Sequence, residues 1–123
     1  MEFLAKIVLS YAIGSVVGSL VIGRLRGVDI RSTGSGNAGA TNALRTQGIW
    51  FASGVAVLDV FKGWFATAVV ASWPWAYPGA APAAQLAWLP VACATAAVFG
   101  HVYPVFSGFR GGKGAATAAG ALL

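Results

Sequence analysis

Three runs of this sequence, residues 4–23, 49–73 and 86–106, are almost free of charge, and each is as long as a bilayer-crossing helix requires. The first is interrupted only by Lys6 and small polar residues. The second contains Asp59 and Lys62, and the third is apolar down to His101 near its end. A fourth run begins at Ala115 and reaches Leu123. Composition supports the same reading, since only 9% of the residues are charged and 58% are hydrophobic, whereas a water-soluble domain carries about 25% charged residues. The expected fold is an all-α integral membrane protein: one polytopic helical bundle over residues 1–123, with three full spans and the start of a fourth at 115–123.

The first run reads as a retained helix rather than a cleaved leader. Glu2 makes the N-terminus acidic, and "SLVIGRLRG" lacks a small-residue cleavage pattern. Cys93 is the single cysteine, so no intrachain disulfide is possible and no metal site is implied.

The net charge of +5 is distributed unevenly. The first connection carries Arg24, Arg26, Arg31 and Arg45 against Asp29. The second, "PWAYPGAAPAAQ", carries no charge, and the third holds Arg110 and Lys113. Positive loops stay inside, so connections one and three are expected in the cytoplasm and the N-terminus outside. Trp73, Trp75 and Tyr77 suit the outer interface. Gly14 and Gly18, and Ala92, Ala96 and Gly100, recur at four-residue spacing and read as close packing faces. Asp59 and Lys62 lie three apart on one helical face, deep in the second run. Embedded charges are rare and are either paired or functional, and both readings stay open for this pair.

The two basic connections are rich in glycine, and the first is also rich in hydroxyls and amides. "GSGNAG", residues 34–39, matches a dinucleotide fingerprint only formally, because no strand precedes it and a membrane helix follows. "GFRGGKG", residues 108–114, is one residue short of a phosphate-binding P-loop and has Gly114 where Ser or Thr belongs. Neither nucleotide hydrolysis nor nucleic-acid binding is expected. The underlying physics still applies: glycine-rich backbone exposes N–H groups to an anion, and a following helix N-terminus favours negative charge. Ser32, Thr33, Ser35 and Thr41 add hydroxyl donors, Asn37 and Asn42 add amides, and Arg45 adds a planar fork suited to phosphate. Arg110 and Lys113 complete a candidate phosphate receptor at the membrane surface. The sequence offers no evident nucleophile, since Ser35 has no neighbouring base and His101 is the single histidine. Chemistry here would consist of orienting and neutralising activated anionic substrates. No cofactor is called for.

"STGSGNAGATNALR", residues 32–45, and "GHVYPVFSGFRGGKGAAT", residues 100–117, resemble the first two motifs of the bacterial acyl-phosphate:glycerol-3-phosphate acyltransferases, the PlsY family. "LDVFKG", residues 58–63, resembles the family's intervening segment. The resemblance implies a seven-helix enzyme of the bacterial inner membrane. That enzyme moves a fatty acyl group from acyl phosphate to the 1-hydroxyl of glycerol 3-phosphate, giving lysophosphatidic acid and phosphate for phospholipid synthesis. It further implies Ser35 and Arg45 as catalytic, and Gly36, Asn37, Thr41, Asn42, His101, Gly111, Gly112, Lys113 and Gly114 as substrate-binding. Asp59, Lys62 and Arg110 are further candidates. Its partners would be the two substrates and membrane lipid. The family's third motif, with its histidine and asparagine, has no counterpart here. The expectation is therefore a fragment or truncated product that is inactive by itself. A small oligomeric transporter and a headgroup-binding scaffold are the competing classes. The transporter reading expects an unpaired acid in a span, whereas Asp59 has Lys62 beside it.

Overall fold

The computed structural model describes residues 1–74 and 87–123, and within them all regular structure is helical. Helix α1 spans Glu2–Gly14, α2 Gly18–Arg26, α3 Ala40–Gln47 and α4 Ile49–Trp64, which continues as a π-helical segment over Phe65–Val70. After the gap come α5, Leu89–Val102, and α6, Ala115–Ala121. Short 3-10 turns lie at Ile30–Ser32 and Val105–Ser107. Among the described residues, two helical stretches are long and apolar enough to cross a membrane, Ile49–Val70 and Leu89–Ser107. Trp75 and Tyr77, with nearly all of the uncharged second connection, lie outside the described residues, as does the expected start of the third run at residue 86.

The run 4–23, expected as one span, is broken in the middle: α1 and α2 meet at 41°, and they are long and apolar enough to cross a membrane only when taken together. Val17 stands at the break in extended conformation, with φ −83° and ψ 119°. A break in an apolar environment exposes carbonyls at one helix end and N–H groups at the next, and these need partners. Asp59 and Lys62 of α4 provide them. Lys62 Nζ donates to the carbonyls of Gly14 and Val16, each at 2.9 Å, and Asp59 Oδ1 accepts the Gly18 N–H at 3.0 Å. The cation thus sits at the C-terminus of α1 and the anion at the N-terminus of α2, as the two helix dipoles favour.

Small residues bring the helices together, and Ala96 and Gly100 of the stripe expected on the third run are buried, with Gly100 at the crossing. A methyl group on Gly14 would overlap the carbonyl of Ala97, and one on Gly100 would overlap that of Tyr11, so α1 and α5 cross in near backbone contact. Ala97 is fully buried where Ala92 is only half-buried. Gly63 and Gly120 make the same kind of contact between α4 and α6. Gly18 faces α4, against Val55 and Asp59.

The first connection is folded down as a cap rather than left loose. Ile30, Ala38 and Ala43 are completely buried, Ile30 and Ala43 against Phe51, Ala52 and Val55 of α4 and Ala38 against Val17 and Leu20. The Ser19 hydroxyl donates to the Ala38 carbonyl at 2.6 Å. Side chains from α2, α3 and α4 therefore fix the glycine-rich stretch over one end of the bundle.

Candidate functional site

Asn42 organises the first glycine loop. Its amide nitrogen donates to the carbonyls of Ile30 and Thr33 at 3.0 Å and of Asn37 at 2.9 Å, and its Oδ1 accepts the Ser35 N–H at 3.0 Å. At 2% exposure, its NH2 group has both hydrogens engaged by loop carbonyls. Asn37 is used similarly, its Oδ1 accepting the Gly39 N–H at 2.8 Å just before α3. These two asparagines set the loop's shape, and they leave the Ser35, Thr41 and Arg45 side chains to project from it. Helix geometry also leaves the N–H groups of Ala40, Thr41 and Asn42 without intrahelical acceptors at the start of α3.

The second glycine loop is laid against the end of α5. Gly111 N–H donates to the Val102 carbonyl at 3.1 Å and Gly112 N–H to the His101 carbonyl at 3.2 Å. A Cβ on Gly111 would strike the His101 carbonyl, and one on Gly112 would strike His101 Nε2. Gly114, at φ +80°, turns the chain into α6 in a conformation that side-chain-bearing residues seldom adopt.

One arginine ties the two loops together. Arg31 Nη1 donates to the carbonyls of Ser107 at 2.9 Å and Arg110 at 3.0 Å. Its Nε and Nη2 grip Asp29, with Nη2–Oδ2 at 2.8 Å. The hydrogen bonds from Arg31 hold the Asp29 carboxyl below its usual range, and the same pairing raises the guanidinium's.

Between the loops lies a cavity of about 350 Å³. Ser35, Asn37, Gly39, Ala40, Thr41, Asn42 and Arg45 line it from the first loop and α3, Lys113 and Gly114 from the second loop, with Ala115 and Ala116 opening α6. Asp59 and His101 form part of its wall. Of the residues singled out in the sequence, Ser32, Thr33, Gly36, Lys62, Arg110, Gly111 and Gly112 are not among the lining, and the Ser32 and Thr33 hydroxyls donate to the carbonyls of Asp29 and Ile30. Gly111 and Gly112 pack behind it on His101, Arg110 offers its carbonyl to Arg31, and Lys62 stands behind Asp59 and His101. Lys62 Nζ is 3.0 Å from Asp59 Oδ1 and 2.8 Å from His101 Nδ1. The paired acid leaves Arg45 and Lys113 as exposed cations facing the space. The motifs did not mark Arg31 as a clasp. The available signal was an acid two residues before an arginine, "DIR", in a connection with no other acid.

The model of the glycerol-3-phosphate acyltransferase family matches residues 4–123. The glycerol-3-phosphate acyltransferase of Chlorobaculum tepidum is 46% identical over all of this chain and 54% of its own length, and that of Bacillus velezensis is 45% identical over 95% of this chain and 55% of its own. The chain thus spans about half the length of these curated relatives. Crystal structures of PlsY, an integral membrane glycerol 3-phosphate acyltransferase, superpose on 99% of it at 35% identity. The TM-score is 0.80 for the glycerol 3-phosphate form and 0.77 for the lysophosphatidic acid form, and 56% of the solved chain is covered. With two polar loops closing one cavity over a helical membrane bundle and a family match along nearly its whole length, this chain belongs to the glycerol-3-phosphate acyltransferase family.

Proposed function

We propose that this chain supplies the phosphate-handling part of an acyltransferase that transfers a fatty acyl group from acyl phosphate to the 1-hydroxyl of glycerol 3-phosphate. The observation that carries this reading is the shared cavity: Ser35, Thr41 and Arg45 from one loop and Lys113 from the other face one volume, beside the open N-terminus of α3. Both substrates are anions, and this wall offers donors and cations to them. Acyl phosphate is a mixed anhydride. The glycerol hydroxyl oxygen bonds to the acyl carbon, the bond from that carbon to the phosphate oxygen breaks, and the hydroxyl proton passes to phosphate. No covalent intermediate on the protein is needed. Arg45 and Lys113 neutralise the phosphates, Ser35 and Thr41 orient them, and the glycines of both loops shape the receptor around them. The acyl tail lies among the apolar helices. The arginine bias supports a bacterial inner-membrane orientation with the loops cytoplasmic and the N-terminus outside.

The test is a fusion of this chain to the part of the Chlorobaculum tepidum relative that lies outside the match, assayed for lysophosphatidate from acyl phosphate and glycerol 3-phosphate. Product from the fusion and none from the chain alone is expected. Arg45→Ala should lower the fusion's kcat/KM by on the order of 10²–10³-fold, the usual loss of one preorganised charge-stabilising donor. A fusion that inserts and folds but forms no product, beside an active intact relative, would overturn the proposal.

A further inference from the structure

We infer that Lys62, braced by Asp59, holds His101 as the neutral tautomer with its proton on Nε2, and that this N–H is a fixed donor to a phosphoryl oxygen in the cavity. The tautomer stands on geometry alone, while the phosphoryl acceptor rests on the function proposed above. His101 is 2% exposed yet forms part of the cavity wall. Its Nδ1 lies 2.8 Å from Lys62 Nζ. An ammonium has hydrogens to give and no lone pair, so Nδ1 must be the acceptor.

The reverse arrangement, a neutral amine accepting from Nδ1–H, fails on charge. It would leave the buried Asp59 carboxylate, 3.0 Å from the amine, without its counter-ion. His101 could not replace that cation, because Nδ1 is 3.5 Å from Asp59 Oδ1, too long for a strong hydrogen bond. Two backbone carbonyls at 2.9 Å, one carboxylate oxygen and one imidazole nitrogen compete for three ammonium hydrogens, so the cation is held from every side. A neutral imidazole with a bare Nδ1 carries its hydrogen on Nε2.

Gly112 packs against the ring beside Nε2, and a Cβ there would strike that nitrogen, which is the ring's remaining hydrogen-bonding group on the cavity wall. Gly112 has no positive φ, so its lack of a side chain serves contact rather than backbone conformation. Lys62 and Asp59 are thus positioning residues that act through His101, and the same pair closes the α1–α2 break.

His101 is the one histidine in the chain, so labelling histidine with 15N puts a single ring in the NMR spectrum of the detergent-solubilised protein. The expected spectrum at neutral pH shows a protonated Nε2 and a bare Nδ1. Glycerol 3-phosphate and inorganic phosphate, titrated separately, should each shift the Nε2–H resonance. A larger response to glycerol 3-phosphate identifies the acceptor as that substrate, and an equal response identifies the departing phosphate's position. Lys62→Met should give a mixture of tautomers. Gly112→Ala, which keeps the ion pair, should retain the tautomer and lose the response to both anions, so the proposal remains testable if Lys62→Met does not fold. A ring protonated on Nδ1, or on both nitrogens, would overturn the tautomer. The Nε2–H form with no response to either anion would overturn the donor role. Product formation by the fusion judges the acyl-transfer reading separately.

Discussion

Two lysines are buried in this chain, and the difference between them separates structure from chemistry. Lys6 is 1% exposed and Lys62 5%. Each pairs with an acid on its own helix, Glu2 at 2.9 Å for Lys6 and Asp59 at 3.0 Å for Lys62. Each also caps a helix end: Lys6 donates to the carbonyls of Ala71 and Trp73 at 3.1 and 2.6 Å, just past the π-helical segment, and Lys62 to those of Gly14 and Val16. Along α1, Lys6 and Gly14 are about 12 Å apart at the helical rise, so the two clusters sit at opposite ends of one helix. At Lys6, three acceptors among the described residues match its three hydrogens. At Lys62 there is a fourth acceptor, the His101 ring, and both Asp59 and His101 border the polar cavity. An embedded charge by itself is therefore a poor marker of a site. The surplus partner that reaches a cavity is the informative feature.

Removing one member of a buried pair is the strongest way to challenge this distinction. Lys6→Met and Lys62→Met should each destabilise the protein by about 3–5 kcal/mol, since each leaves a buried carboxylate without its cation. Thermal unfolding in detergent would measure both losses. Glu2→Gln with Lys6→Met should recover part of the loss and leave the kcat of the folded fusion protein near its original value. Asp59→Asn with Lys62→Met should likewise recover stability, but kcat should remain low. Equal kcat losses in the two double variants would erase the comparison.

A subtler probe is Gly14→Ala, which affects the Lys62 end alone. The added methyl overlaps the Ala97 carbonyl, so α1 must move off α5 and carry the Gly14 carbonyl away from Lys62. Overpacking of this kind costs about 1–3 kcal/mol. The unfolding midpoint should fall accordingly, and the fusion's kcat should fall with it because the ammonium loses one of its anchors. Normal kcat at lowered stability would show that the anchor is structural only.

How far the sequence leads can be judged from the same residues. Charge-poor runs of about twenty residues were enough to give helices in a membrane, because hydrocarbon leaves the backbone few alternatives. The break between α1 and α2 was hidden. Nothing local in "GSVVG" stops a helix; the partners that make the break affordable, Asp59 and Lys62, are over 40 residues away. Glycine and positive charge marked both loops, hydroxyls and amides the first, and the cavity draws its lining from both. Which of those residues project and which hold the loop was not legible. Asn37 and Asn42 carry the same amide as any phosphate contact, and only the folded loop shows Asn42 Nδ2 and Asn37 Oδ1 bonded to its own backbone. Gly112 was visible as a glycine, but its reason, the edge of the His101 ring, is a long-range contact.

The smallest expected effect comes from the clasp between the loops, and it bears on the cavity end only. Asp29 has its carboxyl held below the ordinary range, chiefly by the Arg31 hydrogen bonds. A carboxyl shifted that way stabilises the fold fully above its unfolded value, and the contribution fades as pH falls through the lower, folded value. Asp29 is about half exposed, so the pair is worth under about 1 kcal/mol. Even so, Arg31 donates its Nη1 hydrogens to Ser107 and Arg110, so freeing the guanidinium should loosen one loop from the other. Acidification into the carboxylate range should therefore raise backbone amide exchange at Ser35 and Lys113 before it affects α1 at Lys6. Asp29→Asn should show the same loosening at neutral pH and lose its dependence on acid. Exchange that rises equally at both ends would assign the acid sensitivity to Glu2 and Asp59 as well, and the clasp would no longer set the cavity end apart.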